Sequence, residues 1–329
     1  MRSNEPGRAA RVFAALGKSI CYVGLFLVMQ VLVVLPASIG VAIEGVLAGW
    51  DEDEIYAAMM DLDLTAVSLI SGLLTLAVVL AFYLIRRKKL GEALWLRPVP
   101  APTLLTGASL APALYFVVVV VLFVLPEAWT ENYGEASADI ATGTILGVIA
   151  VAIVAPVVEE VIFRGLTMTR LSRAMPGWLA VLLSAAVFGV CHGELVWICY
   201  AFVLGVFFAF IDLRAGSILP SILGHLMFNA IGQIMTFIPE TEEGTEILIA
   251  LGVLFAAAIV LPILDYKGVA ALFRSRPAPS NPPAEWALPA ASEKWALPAA
   301  SEKWALPTAS EKWEPPSAPG TYEFDPWEE

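Results

Sequence analysis

Eight stretches of mostly apolar residues fill the first 265 positions of this 329-residue chain, at about 20–43, 64–85, 104–125, 145–170, 178–192, 196–211, 217–238 and 247–264. A helix of about 20 apolar residues crosses the hydrocarbon core of a bilayer. The chain is 59% hydrophobic and 15% charged, where soluble domains run at about a quarter charged. These runs predict an all-α fold, a polytopic transmembrane helix bundle of about eight spans. The first run is too long for a signal peptide and lacks a small-residue cleavage pattern, so it reads as a retained helix. The fifth and sixth are short and joined by little more than Gly193–Leu195, which predicts a tight hairpin that does not fully cross.

Basic residues orient the bundle, because Lys and Arg are held on the cytoplasmic side. Of the 16 bases in residues 1–276, 15 fall in the N-terminus and the alternate loops that share its side, among them Arg86–Lys89, Arg97, Arg173 and Lys267. The opposite loops carry acids, such as Asp51–Glu54, Glu240, Glu242 and Glu243. The predicted protein is a multi-pass cell-membrane protein with both termini cytoplasmic. Three parts follow: a cytoplasmic N-terminus over 1–19, a helical membrane domain over 20–265, and a cytoplasmic tail over 266–329. Residues 90–102 combine Leu, Trp95 and prolines with few charges and read either as an interfacial segment or as a plain loop.

The tail repeats WALPAASEK at 286–294 and 295–303 and WALPTASEK at 304–312. Each copy carries a helix-breaking proline. A nine-residue period also turns successive tryptophans to opposite faces of a helix. The reading is a disordered, proline-rich segment. Its tryptophans could offer a contact for a partner or the membrane surface, but neutral expansion of a low-complexity repeat is the better account of them. The net charge of −12 supplies no basic face for nucleic acid. Cys21, Cys191 and Cys199 lie in apolar runs without paired spacing and read as small buried hydrophobes.

Ionisable groups inside spans cost about 2.5–3.5 kcal/mol each on insertion scales, so they persist where they pair or act. Here the polar set inside the spans is Glu159, Glu160 and Arg164 in the fourth, His192 ending the fifth, and His225 and Asn229 in the seventh. Both histidines of the chain are among them. Glu160 and Arg164, four apart, share a helix face and can pair. Glu159 is turned about 100° away and has no such partner on its own helix, which suits a general base. His225 and Asn229 also share a face, and together can donate to a developing oxyanion. Phe188 lies one turn before His192 and flanks it. At about 1.5 Å per residue, His192 and His225 lie roughly 20 and 12 Å from the cytoplasmic ends of their spans. A cavity open to the cytoplasmic side would hold the set. Asp212 and Arg214 flank a cytoplasmic turn and read as interfacial, and Glu194 reads as part of the opposite turn.

Taken together, EEVIFR (159–164), FGVCH (188–192) and HLMFN (225–229) resemble EExxxR, FxxxH and HxxxN. These are the three motifs of the CPBP family, the CAAX prenyl protease type II-like or Abi proteins, also called intramembrane glutamic proteases. The resemblance covers about residues 100–265. It implies an endopeptidase that hydrolyses a peptide bond of a membrane-associated protein or peptide with an activated water. Glu159 and His192 would activate the water, His225 and Asn229 would stabilise the oxyanion, and Glu160, Arg164 and Phe188 would support the site. It implies no cofactor or metal, and as partners membrane lipid and a peptide or protein substrate. Three other readings remain open. Two histidines and a glutamate could bind zinc. Ser221, four before His225, could serve as a nucleophile, although no GxSxG elbow is present. A membrane scaffold or transporter would use the same polar residues without cleaving anything.

Overall fold

The computed structural model describes residues 7–138, 144–238 and 244–273. The tail repeats, the acids at 240–243 and the first six residues lie outside them. Among the described residues every regular element is a helix. In chain order they are α1 (Arg8–Ala48), α2 (Glu52–Met60), α3 (Leu64–Ile85), α4 (Leu90–Ala93), α5 (Ala101–Val124) and α6 (Glu127–Ala138). Then come α7 (Ile145–Leu171), α8 (Gly177–Val190), α9 (Leu195–Ala215), α10 (Leu219–Met235), α11 (Thr245–Leu264) and α12 (Tyr266–Phe273).

All eight apolar runs form helices, but only six of the described helices are long and apolar enough to cross a membrane: α1, α3, α5, α7, α9 and α11. The remaining two, α8 with 14 residues and α10 with 17, are the ones whose sequences lead to His192 and carry His225. At about 1.5 Å per residue, α8 is ~21 Å long, short of a full crossing as its tight connection to α9 predicts.

Helix ends follow from local chemistry. Asp51 caps α2 in a reciprocal box with Glu54, whose backbone N–H it accepts at 2.9 Å. Asp63 accepts the N–H groups of Thr65 and Ala66 at the start of α3. Thr144 caps α7 through the Gly147 N–H. Glu194, placed in a turn from sequence, caps α9 by accepting the Trp197 N–H at 2.8 Å. Gly216 ends α9 in the left-handed conformation, φ 69°.

The distribution of polarity is that of a protein solvated by lipid. Phe123 is 89% exposed, while Glu160, Arg164, Asp212, Ser184 and Ser221 are all fully buried. Several buried side chains bond to backbone or to each other, as Ser184 does to the Phe163 carbonyl at 2.7 Å and Ser221 to Asp212 at 2.7 Å. Small residues let the helices close up. Gly107 of α5 faces Gly224 of α10 so closely that a Cβ on Gly224 would lie 2.9 Å from the Gly107 backbone.

The stretch at 90–102 is not a plain loop. Leu94 and Trp95 are buried, and the Trp95 carbonyl accepts the Ile218 N–H at 3.0 Å. Ser217 donates to the Arg97 carbonyl at 2.8 Å. The segment is folded onto the start of α10, at the end of the bundle that carries the basic loops.

Candidate active site

The site begins with an irregularity in α7. Residues Ala150–Val154 and Glu160–Met168 follow π geometry, with i→i+5 hydrogen bonds. Such stretches are rare and concentrate at functional sites. The Ala155 N–H reaches back five residues to the Ala150 carbonyl. In the same register the Val151 carbonyl would look to residue 156, which is proline and has no N–H. The Asn229 side chain takes that place, its Nδ2 donating to the Val151 carbonyl at 2.9 Å. A single proline thus creates an acceptor that ties α10 to α7 beside the glutamates.

One turn onward, Arg164 meets Glu160, Nη1 to Oε1, at 3.1 Å with both side chains fully buried. The expected pair is formed, but it is not closed on itself. His225 Nδ1 lies 2.9 Å from the same Glu160 oxygen, and its Nε2 lies 3.6 Å from Glu159 Oε2. The imidazole therefore sits between the two glutamates, which the sequence reading had assigned to separate tasks. Arg164 also donates to the Gly205 carbonyl at 3.4 Å, and its guanidinium lies 4.3 Å from the Phe188 ring centroid. A buried ion pair is tolerable only when further hydrogen bonds and ring contacts offset its desolvation, and this one has both.

Phe188 does more than flank His192. Its ring meets His192 edge-on at 4.8 Å and His225 at 5.9 Å between centroids, so one ring sets the position of both histidines and of Arg164. Phe208 stacks on the other face of His225 at 5.5 Å. His192 Nδ1 lies 2.9 Å from the Phe188 carbonyl. A carbonyl can only accept, so Nδ1 carries the proton and Nε2 of the neutral ring is left with its lone pair.

Glu159, His192, His225, Asn229 and Phe188 line one cavity of about 850 Å³. Glu160 and Arg164 stand behind its wall. The cavity is continued by Tyr115, Tyr133, Trp197 and Tyr200, and by Ser137, Gln233 and Thr236. These belong to the end of α5, to α6, to the start of α9 and to the end of α10. All lie in the half of the bundle away from the basic loops. The expectation of a cytoplasmic opening paired the cavity with the basic loops, and the structure separates them. The reason is the direction of α8: it starts beside Arg173 and runs away from the basic loops, and His192 follows its last turn, next to the turn at Gly193–Leu195.

Sequence reasoning missed a second buried acid. Asp212 is fully buried and not interfacial. It accepts the Ser221 hydroxyl at 2.7 Å and the Ser221 backbone N–H at 3.3 Å. Ser221 shares α10 with His225, so the pair anchors that helix directly beneath the histidine. The Ser221 hydroxyl also lies 2.9 Å from the Ile218 carbonyl. It is fully buried and is not part of the cavity wall, which removes it as a nucleophile. The available signal was the i, i+4 spacing of Ser221 and His225 on a helix already known to carry chemistry. Among the described residues no group of three or more His, Cys, Asp or Glu side chains is arranged to hold a metal ion.

Comparison with known proteins lands on the same stretch. Residues 141–231 match the family described as type II CAAX prenyl endopeptidase Rce1-like. The chain is 30% identical over 125 residues to the Bacillus subtilis (strain 168) protein named "Putative membrane peptidase YdiL". That alignment covers 37% of this chain and 51% of the relative, so the chain spans about half the length of the curated protein it matches. No solved structure matches. All three motifs fall inside the segment of this multi-pass membrane helix bundle that is similar to the type II CAAX prenyl endopeptidase Rce1-like family.

Proposed function

We propose that this protein is a membrane endopeptidase that hydrolyses a peptide bond with a water activated by Glu159 and His192. The observation that carries the reading is the shared cavity wall: Glu159, His192, His225 and Asn229 come from three helices and meet at one space large enough for a peptide segment.

The chemistry follows from the proton positions. His192 Nε2, with its lone pair free, accepts one hydrogen of a water, and Glu159 takes the other as the oxygen attacks the carbonyl carbon. Charge develops on the carbonyl oxygen. Asn229 keeps one N–H to give it, since only one is committed to Val151. His225 contributes Nε2–H when its ring carries both protons, with Nδ1–H held by Glu160. The C–N bond then breaks, and the proton held by Glu159 passes to the leaving nitrogen. The products are a carboxylic acid and an amine, with one water consumed. Glu160 and Arg164 are positioning residues, acting through His225 and Phe188.

The test is cleavage of an internally quenched peptide library by the purified protein in nanodiscs. His192→Ala is expected to lower turnover by about 10²–10⁴-fold, the usual worth of positioned acid–base catalysis. Asn229→Ala is expected to cost about 10²–10³-fold, as removal of an oxyanion donor does. Chelators are expected to leave the rate unchanged. A rate abolished by chelation and restored by zinc supports the zinc reading instead, and partner binding with no cleavage by the wild type supports the scaffold.

A further inference from the structure

The side of the membrane served by the cavity can be read from two independent observations. The first is where the cavity lies. Its wall uses the last turns of α5 and α10, the first turns of α3 and α9, and α6, which are the ends joined by the acidic connections. The second is the charge of the other end. Arg86–Lys89, Arg97, Arg170, Arg173, Arg214 and Lys267 all lie there, and such residues are retained in the cytoplasm.

The basic end is also closed. Leu94, Trp95, Leu166, Met168, Ile211 and Ile218 are buried across it. Behind the catalytic wall lie the buried Arg164–Glu160 pair and the Asp212–Ser221 pair. At the opposite end the wall is amphipathic. Tyr133 of α6 meets Trp197 and Tyr200 of α9 edge-on, at 6.2 and 5.9 Å, and Tyr and Trp are the residues that settle at the boundary between membrane and water. Thr236 is exposed there.

We propose that the cavity is supplied from the extracytoplasmic side. Its substrates are then peptide segments of exported or membrane-inserted proteins that emerge on that face. The substrate class rests on the peptidase reading, and the sidedness does not.

Thiol labelling tests it without relying on activity. In a chain with Cys21, Cys191 and Cys199 replaced by alanine, single cysteines are placed by Ser137→Cys and Thr236→Cys at the cavity end and by Lys88→Cys at the basic end. A membrane-impermeant maleimide is applied to right-side-out and to inverted vesicles. The expected result is labelling of positions 137 and 236 in right-side-out vesicles, with position 88 labelled only in inverted ones. The reverse pattern, or labelling of all three from one side, overturns the proposal. Two cavity positions guard against a single misfolded variant. Adding Glu159→Gln is expected to leave the pattern intact, so a chain that labels as expected but cleaves nothing would fail the peptidase reading alone.

Discussion

Glu160 is the residue on which the local electrostatics turn. Its one oxygen serves Arg164 at 3.1 Å and His225 at 2.9 Å, with no exposure to solvent. Removing one partner of a buried ion pair costs about 3–5 kcal/mol, because the other charge is stranded, whereas replacing both by apolar groups is often neutral. Arg164→Met is therefore expected to lower the unfolding temperature in detergent sharply, and Glu160→Met with Arg164→Met to recover much of the loss. Neither variant should cleave, since His225 loses its anchor or its ring support. The pairing of Glu160 with Arg164 could be read from their spacing, because both lie on one helix. The contact of His225 with both glutamates could not, because it joins positions 65 residues apart, and sequence spacing carries no information about which helices are neighbours.

At the level of elements, α7 and α10 hold the chemistry and their contact is specified by small details. Pro156 removes the N–H that the Val151 carbonyl would otherwise use in the π register, and Asn229 fills the vacancy. Pro156→Ala is expected to leave the fold intact and to loosen Asn229, lowering turnover by up to about 10²-fold, the scale of a 1 Å misplacement. Equal activity in wild type and variant would show that Asn229 finds its position without the proline. The α5–α10 crossing depends on bare glycine at 107 and 224. Gly224→Val is expected to cost about 1–3 kcal/mol by overpacking, and to displace the adjacent His225, so that thermal stability and turnover fall together. Hydropathy revealed where the helices are, because it measures apolar length. It did not reveal the π register or the burial of Trp95, which depend on hydrogen-bond partners supplied by other helices.

At the largest scale, the described bundle exposes many large apolar side chains and buries Glu160, Arg164 and Asp212, and Glu160 and Arg164 lie behind the wall of a cavity near one end. The basic loops mark the other end, and on the proposal above a substrate arrives from the side away from them. The class of the fold and the four cavity residues were legible because polar groups in apolar runs are few, and each therefore stands out. The end of the bundle at which the cavity lies was not, since it depends on which ends of α3, α5, α6, α9 and α10 come together around His192. The measurement that bears most directly on the account is a comparison of new protein termini in membranes carrying the wild-type chain and the Glu159→Gln chain at equal abundance. The account predicts a set of termini present with the wild type and lost with Glu159→Gln, lying in segments outside the cytoplasm. An identical set of termini in both membranes would contradict it.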